Sequence, residues 1–453
     1  MRLHFIAIGG SAMHSLALEM KNHGHEVTGS DDVIFEPSKS ALEKANIFPD
    51  SLGWFPEKIT NDIDIVVLGM HAKSDNPELL RALEMQLTLQ SYPEFLAHIS
   101  QEKTRVVIAG SHGKTTITAL ILHVLMYHDQ PTDFMVGAPV PAVSKTLSVS
   151  DENDFILLEG DEYLSSAIDR KPKFLWYSPE IALISGIAWD HVNVFPTFEN
   201  YVEQFEQFIF SISQGGVVIY NEHDEILRSL VLNCNHPIKK IPYSLPDYSI
   251  NGETTYLESE EGKIPLAVFG LHNLSNIAGA KWICQLMGID ASDFYEALPS
   301  FQGAAKRLEK IAQGKTAFLF KDFAHAPSKV KATTAAVRLQ FPTKKIWAFL
   351  ELHTYSSSDP EFLKHYADSL ASADQAFVFY DPEALKIKKR KPIAPDQIQK
   401  AFGHLSLSVI TEAELLQKIF TSVSIADTVI LMMSSGNFGG IDWEMFKNKI
   451  ALS

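Results

Sequence analysis

The sequence predicts an α/β protein of three domains built on mostly parallel sheets. Short apolar runs of strand length alternate with helical segments along the whole chain, the pattern of parallel strands joined by crossover helices. Three such blocks separate, over residues 1–100, 101–302 and 303–453. A chain of 453 residues is also too long to fold around one hydrophobic core.

The first block opens with a strand, His4–Ile8, a Gly9-Gly10 turn and a helix over Ala12–Asn22. A second strand ends at Gly29-Ser30-Asp31 and a third covers Ile63–Leu68. This is a Rossmann-like, mononucleotide-binding βαβ opening. Its glycine pattern is degraded, because Ala7, Gly9 and Ala12 stand where a dinucleotide fingerprint has G-x-G-x-x-G. Asp31 follows the turn by about 20 residues, the place of a ribose-binding acid. The pattern points to an unspecified nucleotide rather than to a nicotinamide cofactor.

In the second block an apolar strand, Arg105–Ala109, runs into Gly110-Ser111-His112-Gly113, and Lys114, Thr115 and Thr116 open an apolar helix. Strand, glycine loop, Lys-Thr and helix make a P-loop ATPase domain. Backbone N–H groups and the helix N-terminus face phosphates, the lysine reaches the β/γ oxygens, and the threonine hydroxyl holds Mg²⁺. Ile108 replaces the first glycine of G-x-x-x-x-G-K-[ST], so the loop is the shorter G-x-H-G-K-T-T form. The plainer alternative is a glycine turn before a helix with an incidental lysine. Further strands are predicted at Phe155–Glu159, Ile181–Ile187 and Gly216–Tyr220. The third block carries strands Ala317–Lys321, Ile346–Leu350, Gln375–Tyr380 and Thr428–Met433, a second Rossmann-like arrangement. In such sheets ligands bind beyond the C-terminal strand ends.

Hydrophobic residues make up 46% and charged residues 21%, an ordinary globular composition. The net charge of −16 argues against a nucleic-acid partner, which needs a basic footprint. No apolar run reaches membrane-spanning length and no signal peptide is expected, so neither is membrane insertion. Cys234 and Cys284 have neither metal nor redox spacing and suit a reducing cytoplasm as buried apolar residues. The basic run at 386–391 reads as a solvated loop rather than a binding patch.

Several polar groups fall at predicted strand ends. Glu159-Gly160-Asp161-Glu162-Tyr163 follows an apolar strand, and three acids there are costly unless they meet cations. Asp190-His191 follows the next strand, and with Glu162 it suits a second Mg²⁺, although that ion prefers oxygen to imidazole. A surface acidic turn with a capping Asp is the alternative. Asn273 and Asn276 share one helical face and suit an adenine edge, while N-capping fits Asn273 equally. Asp322 with His325, and Glu351 with His353, place an acid and an imidazole at the sheet rim. There they would orient an incoming amine and help remove its proton, unless they are bystanders. Lys306-Arg307 supplies positive charge for a triphosphate. The turn SSGNFGG at 434–440 suits close approach of a substrate to the backbone.

In this order GSHGKTT, EGDEY, Asp190-His191, HNLSN at 272–276, Lys306-Arg307 and DFAHAP resemble the Mur ligases of peptidoglycan biosynthesis, over nearly the whole chain. Within that family the chain looks most like the UDP-N-acetylmuramate branch, especially its peptidoglycan-recycling members. The pointers are GHEVTGSD at 24–31, EGDEY, DFAHAP and SSGNFGG. The resemblance implies a cytoplasmic three-domain ligase, monomeric or weakly dimeric, that needs ATP and Mg²⁺. Its first domain would bind the UDP of UDP-N-acetylmuramate and its second ATP. The third would bind the amine substrate, either L-alanyl-γ-D-glutamyl-meso-diaminopimelate or L-alanine.

Carried over by motif, Gly110, His112, Gly113, Lys114, Thr115 and Thr116 would bind ATP, with Asn273 and Asn276 on the adenine and Arg307 and Asp322 on the nucleotide. Thr115, Glu162 and His191 would hold Mg²⁺. Gly9, Gly10, Ser30, Asp31, His71 and Asn76 would line the UDP pocket. His325, Glu351, His353 and Asn437 would face the amine, and Lys114, Glu162, His191 and His325 would carry catalysis. The implied reaction runs through an acyl phosphate, protected from water when the third domain closes over the second.

One stretch departs from the family. Alanine-adding members resemble one another as HRYTR and recycling members carry EPRSN, whereas this chain has Glu351-Leu352-His353-Thr354-Tyr355. The arginine that would pair with the substrate's carboxylate is missing, and His353 lacks its bidentate fork. The departure bears on the second substrate more than on the reaction class. A nicotinamide dehydrogenase would leave the phosphate loop unexplained, and a non-catalytic UDP-muramate binder has no need of two cation sites.

Overall fold

The computed structural model describes every residue except 139, 141, 142, 144, 190–193, 388–392 and 423. Its first sheet holds β1 (Arg2–Ile6), β2 (Glu26–Ser30), β3 (Ile65–Leu68) and β4 (Leu89–Ser91) in the order β2-β1-β3-β4, all parallel. The second holds β5 (Thr104–Ala109), β6 (Asp133–Met135), β7 (Leu147–Ser148), β8 (Phe155–Glu159), β9 (Ile181–Ile184), β10 (Val217–Asn221) and β11 (Lys239–Tyr243). Their order is β11-β10-β9-β5-β8-β6-β7, with the edge pair β6–β7 antiparallel. A small antiparallel meander follows, of β12 (Tyr248–Asn251), β13 (Thr254–Ser259) and β14 (Gly262–Leu266). The last sheet holds β15 (Glu309–Gln313), β16 (Phe318–Asp322), β17 (Lys345–Glu351), β18 (Gln375–Phe379), β19 (Leu407–Ile410) and β20 (Thr428–Met433). Its order is β15-β16-β20-β17-β18-β19, with β15 antiparallel at the edge.

Two compact units result. One comprises Met1–Ile187, Thr197–Ser244 and Gly279–Asp290 and carries the first two sheets. The other comprises Ala188–Pro196, Leu245–Ala278 and Ala291–Ser453 and carries the meander and the last sheet. Among the described residues no helix is long and apolar enough to cross a membrane.

The parallel strands lie where the apolar runs are, because both faces of these sheets are buried. In the last sheet Phe318, Phe320, Ala348, Leu350, Leu431 and Met433 enter one core. Leu319, Trp347, Phe349, Ile430 and Met432 enter the other. Each large side chain so buried contributes roughly 1.5–3 kcal/mol. In the first unit the helix Ser11–Asn22 is pinned to the second sheet. Glu19 accepts from Val149 N–H at 3.0 Å and Lys145 Nζ at 3.2 Å, and Ser15 Oγ meets Thr146 Oγ1 at 2.8 Å.

Three features differ from the sequence expectation. Strand β9 stops at Ile184 rather than Ile187, because Gly186 turns away and Ile187 N–H donates to Asp224 at 2.6 Å instead of continuing the ladder. The helix expected to follow residues 270–280 begins at Leu271, so Asn273 and Asn276 are already inside it. The meander was not anticipated, nor were the peripheral strands β4, β6, β7, β11, β15 and β19.

Candidate functional site

Strand β5 runs between β9 and β8, and the glycine loop leaves its C-terminal end. Gly110 has φ +122°, and a Cβ there would lie 2.2 Å from Ser185 Oγ and 2.9 Å from Ser185 N. Neither its conformation nor its surroundings admit a side chain. The loop is wrapped against the β9 turn: Ser111 N–H donates to Gly186 O at 3.0 Å, and Ser185 Oγ donates to His112 O. The helix Lys114–Tyr127 starts from Gly113 without a side-chain cap, the arrangement in which the first N–H groups receive an anion.

Lys114 Nζ lies 2.5 Å from Glu162 Oε2 and donates to Gly110 O at 2.7 Å. Burial opposes its charge, but Glu162, Asp161 and Glu159 outweigh burial and hold its pKa above the ordinary lysine value. The ammonium therefore stays charged at neutral pH. Two of the three acids at this strand end meet cations, both of them the chain's own lysines: Glu162 pairs with Lys114, and Asp161 with Lys173 at 2.8 Å.

Glu159 is placed differently. It accepts the Thr115 hydroxyl at 2.7 Å and the Gly137 N–H at 2.7 Å. The acid beside Thr115 is thus Glu159, while the Glu162 carboxylate pairs with Lys114. A hydroxyl and a carboxylate oxygen in contact are the hard donors that Mg²⁺ takes, so this pair fits the ion. Sequence reasoning counted Glu159 among the three acids of this strand end but gave it no role of its own. Its register, directly opposite Ile108 at the mouth of the loop, is the signal that finds it. Thr116 is buried in the first helical turn. The predicted Asp190-His191 pair lies outside the described residues.

In the first sheet the predicted nucleotide residues converge. Gly9 N–H donates to Asp31 Oδ2 at 2.8 Å. Desolvation raises the Asp31 pKa, and the Gly9 bond offsets this only in part. Gly10 precedes the helix Ser11–Asn22. Asp31 O accepts Gly53 N–H at 2.8 Å, which draws the following loop to the strand end and sets Lys58 Nζ 3.4 Å from Ser30 Oγ. His71 is exposed beyond β3. Asn76 has another duty: its side chain caps the helix Pro77–Glu84, accepting from Glu78 N–H at 2.9 Å and Leu79 N–H at 3.2 Å. The sequence had not singled out Lys58.

In the second unit β20 lies between β16 and β17, so the residues after these strands share one rim. Asp322 ends β16 and accepts the Thr333 hydroxyl at 2.5 Å. Burial lowers the His272 pKa, with Asp322 opposing. The Arg307 guanidinium lies 4.9 Å from the centre of the Phe323 ring, and the His325 ring meets the same phenyl edge-on at 5.3 Å. His325 Nδ1 lies 2.8 Å from Phe323 O. A carbonyl only accepts, so Nδ1 carries the hydrogen and a neutral ring has its lone pair on Nε2. Asn273 and Asn276 are both buried, and Asn273 Nδ2 donates to Phe269 O at 2.9 Å. Asn273 stands inside a helix that begins at Leu271, which removes the N-cap alternative.

Glu351 is buried, and its Oε2 accepts the Ser434 hydroxyl and, at 2.9 Å, the Phe438 N–H. This carboxylate secures the turn 434–440. His353, with Nδ1 3.7 Å from Glu351 Oε1, and the exposed Asn437 remain on the rim.

Residues 2–104 match the family model "Mur ligase family, catalytic domain", and residues 108–284 match "Mur ligase middle domain". The chain is 28% identical to the UDP-N-acetylmuramate–L-alanyl-γ-D-glutamyl-meso-2,6-diaminoheptandioate ligase of Escherichia coli, over 97% of this chain and 96% of that protein. It is 30% identical to the UDP-N-acetylmuramate–L-alanine ligase of Desulfitobacterium hafniense, over 83% of this chain and 84% of that protein. Among solved structures, the murein peptide ligase of Psychrobacter arcticus superposes with a TM-score of 0.65 at 22% identity, covering 100% of this chain and 99% of that one. That last likeness establishes the fold. Taken with the phosphate loop, the family models and the two curated relatives lead to one conclusion: the chain belongs to the Mur ligase family, whose members are ATP-dependent ligases that form amide bonds.

Proposed function

We propose that the chain joins UDP-N-acetylmuramate to L-alanyl-γ-D-glutamyl-meso-diaminopimelate through an acyl phosphate. The observation that carries this reading is similarity along 97% of the chain to the E. coli ligase named for those two substrates. In this reading residues 1–100 hold the UDP-sugar, 101–302 ATP, and 303–453 the peptide.

A carboxylate oxygen of the muramate attacks the γ-phosphorus, the bond to the β-phosphate oxygen breaks, and ADP leaves. Lys114 and the first N–H groups of its helix take up the charge that develops. Thr115 and Glu159 would hold Mg²⁺, which when bound adds positive charge at the phosphates. The peptide amine then attacks the acyl carbon, the carbon–oxygen bond to phosphate breaks, and amide and inorganic phosphate result. His325, with its lone pair on Nε2, takes the proton the amine gives up. Gly9, Gly10, Ser30 and Asp31 receive the UDP. Arg307, Asp322, Asn273 and Asn276 serve the nucleotide, and His353 and Asn437 meet the peptide.

Ligation of L-alanine alone is the second reading, favoured by 30% identity to the D. hafniense enzyme. The deciding measurement is ATP-dependent phosphate release with UDP-N-acetylmuramate and either amine. Tripeptide-dependent release is expected. Release with L-alanine alone would move the chain to the second reading, and release with neither would overturn both. In the same assay Glu159→Gln is expected to raise the Mg²⁺ concentration for half-maximal rate about tenfold, the size of effect of losing a charged oxygen donor. An unchanged Mg²⁺ requirement would remove Glu159 from the cation site.

A further inference from the structure

We propose that Tyr201 is a positioning residue of the phosphate loop, acting through Glu162 to set where the Lys114 ammonium stands. The inference rests on the reading of that loop as the ATP site.

Tyr201 comes from the helix Phe198–Ser211, far from the loop in sequence, and is fully buried. Its phenol donates to Glu162 Oε1 at 3.0 Å and lies 2.8 Å from Ser111 Oγ. A phenol has one hydrogen. With that hydrogen on Glu162, Ser111 must be the donor to the Tyr201 oxygen. The bonds therefore run in one direction, from Ser111 to Tyr201 to Glu162. The other Glu162 oxygen takes Lys114 Nζ at 2.5 Å, and Lys114 donates to Gly110 O at 2.7 Å.

This circuit begins and ends on the same loop. Gly110 and Ser111 stand at the start of the loop and Lys114 at its end, and Glu162 and Tyr201 close the span between them. Charge-assisted bonds in a buried site strengthen one another, so the ammonium is registered by the whole circuit rather than by Glu162 alone. The Tyr201 ring is engaged elsewhere, packing edge-on against Phe205 at 5.3 Å. Ring and hydroxyl can therefore be tested apart. Neither the residue type nor the spacing of Tyr201 marks it in the sequence.

The test is a double-mutant cycle on MgATP binding by the full chain, measured calorimetrically, with the turnover of phosphate release alongside. Tyr201→Phe keeps the ring and opens the circuit. It is expected to weaken MgATP binding about tenfold, the cost of losing one buried bond to a charged group. Turnover should fall by a similar factor, with the KM for UDP-N-acetylmuramate unchanged. In a Glu162→Gln background the same change should cost less than about twofold, because the link it breaks already ends on a neutral amide. Wild-type binding and turnover in Tyr201→Phe would overturn the proposal, as would independent, multiplying effects of the two substitutions. If Tyr201→Phe fails to fold, Ser111→Ala opens the circuit from the loop side, and the same coupling to Glu162→Gln is expected. A wild-type chain that bound no MgATP would overturn the ATP-site reading and the inference together. A chain that bound MgATP yet ligated neither amine would overturn only the substrate reading.

Discussion

Replacing Lys114 by alanine is expected to lower ATP-dependent phosphate release about a thousandfold, the upper range for removing one charge-stabilising donor from a reacting centre. Two effects add. The ammonium that meets the developing charge is lost, and with it the ion pair it makes with Glu162 at 2.5 Å. The other acids of this strand end stand close enough to have raised the Lys114 pKa, so the emptied site repels a phosphate. Binding of UDP-N-acetylmuramate should persist, because the residues proposed to receive the UDP, Gly9, Gly10, Ser30 and Asp31, belong to a different sheet. Phosphate release and UDP-sugar calorimetry on the same preparation separate the outcomes. Surviving release would show that the loop has been wrongly assigned. Loss of both functions would show that the substitution had unfolded the domain.

Gly110→Ala is expected to destabilise the chain by about 3 kcal/mol and to abolish measurable MgATP binding. A side chain at its φ of +122° costs about 1–2 kcal/mol in any surroundings. The new Cβ would also stand 2.9 Å from the Ser185 backbone nitrogen, which moves only if the β9 turn moves with it. Gly215→Ala is the control. Gly215 also has positive φ, +80°, but no atom lies within 4 Å of the added carbon. It should cost only about 1 kcal/mol and leave ATP binding unchanged. Equal losses at both positions, by chemical unfolding and by nucleotide calorimetry, would contradict the close packing of loop against turn.

Much of the fold was legible in the sequence, for reasons visible in the core. Strands β5, β8, β16, β17 and β20 are buried on both faces, so each reads as an apolar run, and β20 has the predicted bounds Thr428–Met433. The meander was not legible as strand. Its residues are half-exposed, and the acids at 253, 258, 260 and 261 make it read as a polar loop, although Asn251-Gly252 is a hairpin signal. The phosphate loop was legible because all its parts are contiguous. The roles of Glu159 and Glu162 were not, since neighbouring acids at a strand end are told apart only by what stands opposite them. Asn76 and Glu351 carry polar atoms at plausible rim positions and spend them on a helix cap and on the 434–440 turn.

The amino-acid sequence by itself determined the alternation of strands and helices, the three mostly parallel sheets and the place of the phosphate loop. These depend on hydrophobic periodicity and on turn residues, interactions between near neighbours along the chain. Only the tertiary structure decided that Glu159 meets Thr115, that Glu162 meets Lys114, and that Tyr201 closes the circuit onto Ser111. A hydrogen bond is made or lost over a few tenths of an ångström, and partners 39 to 90 residues apart come within that range only when the strands and helices that carry them have packed.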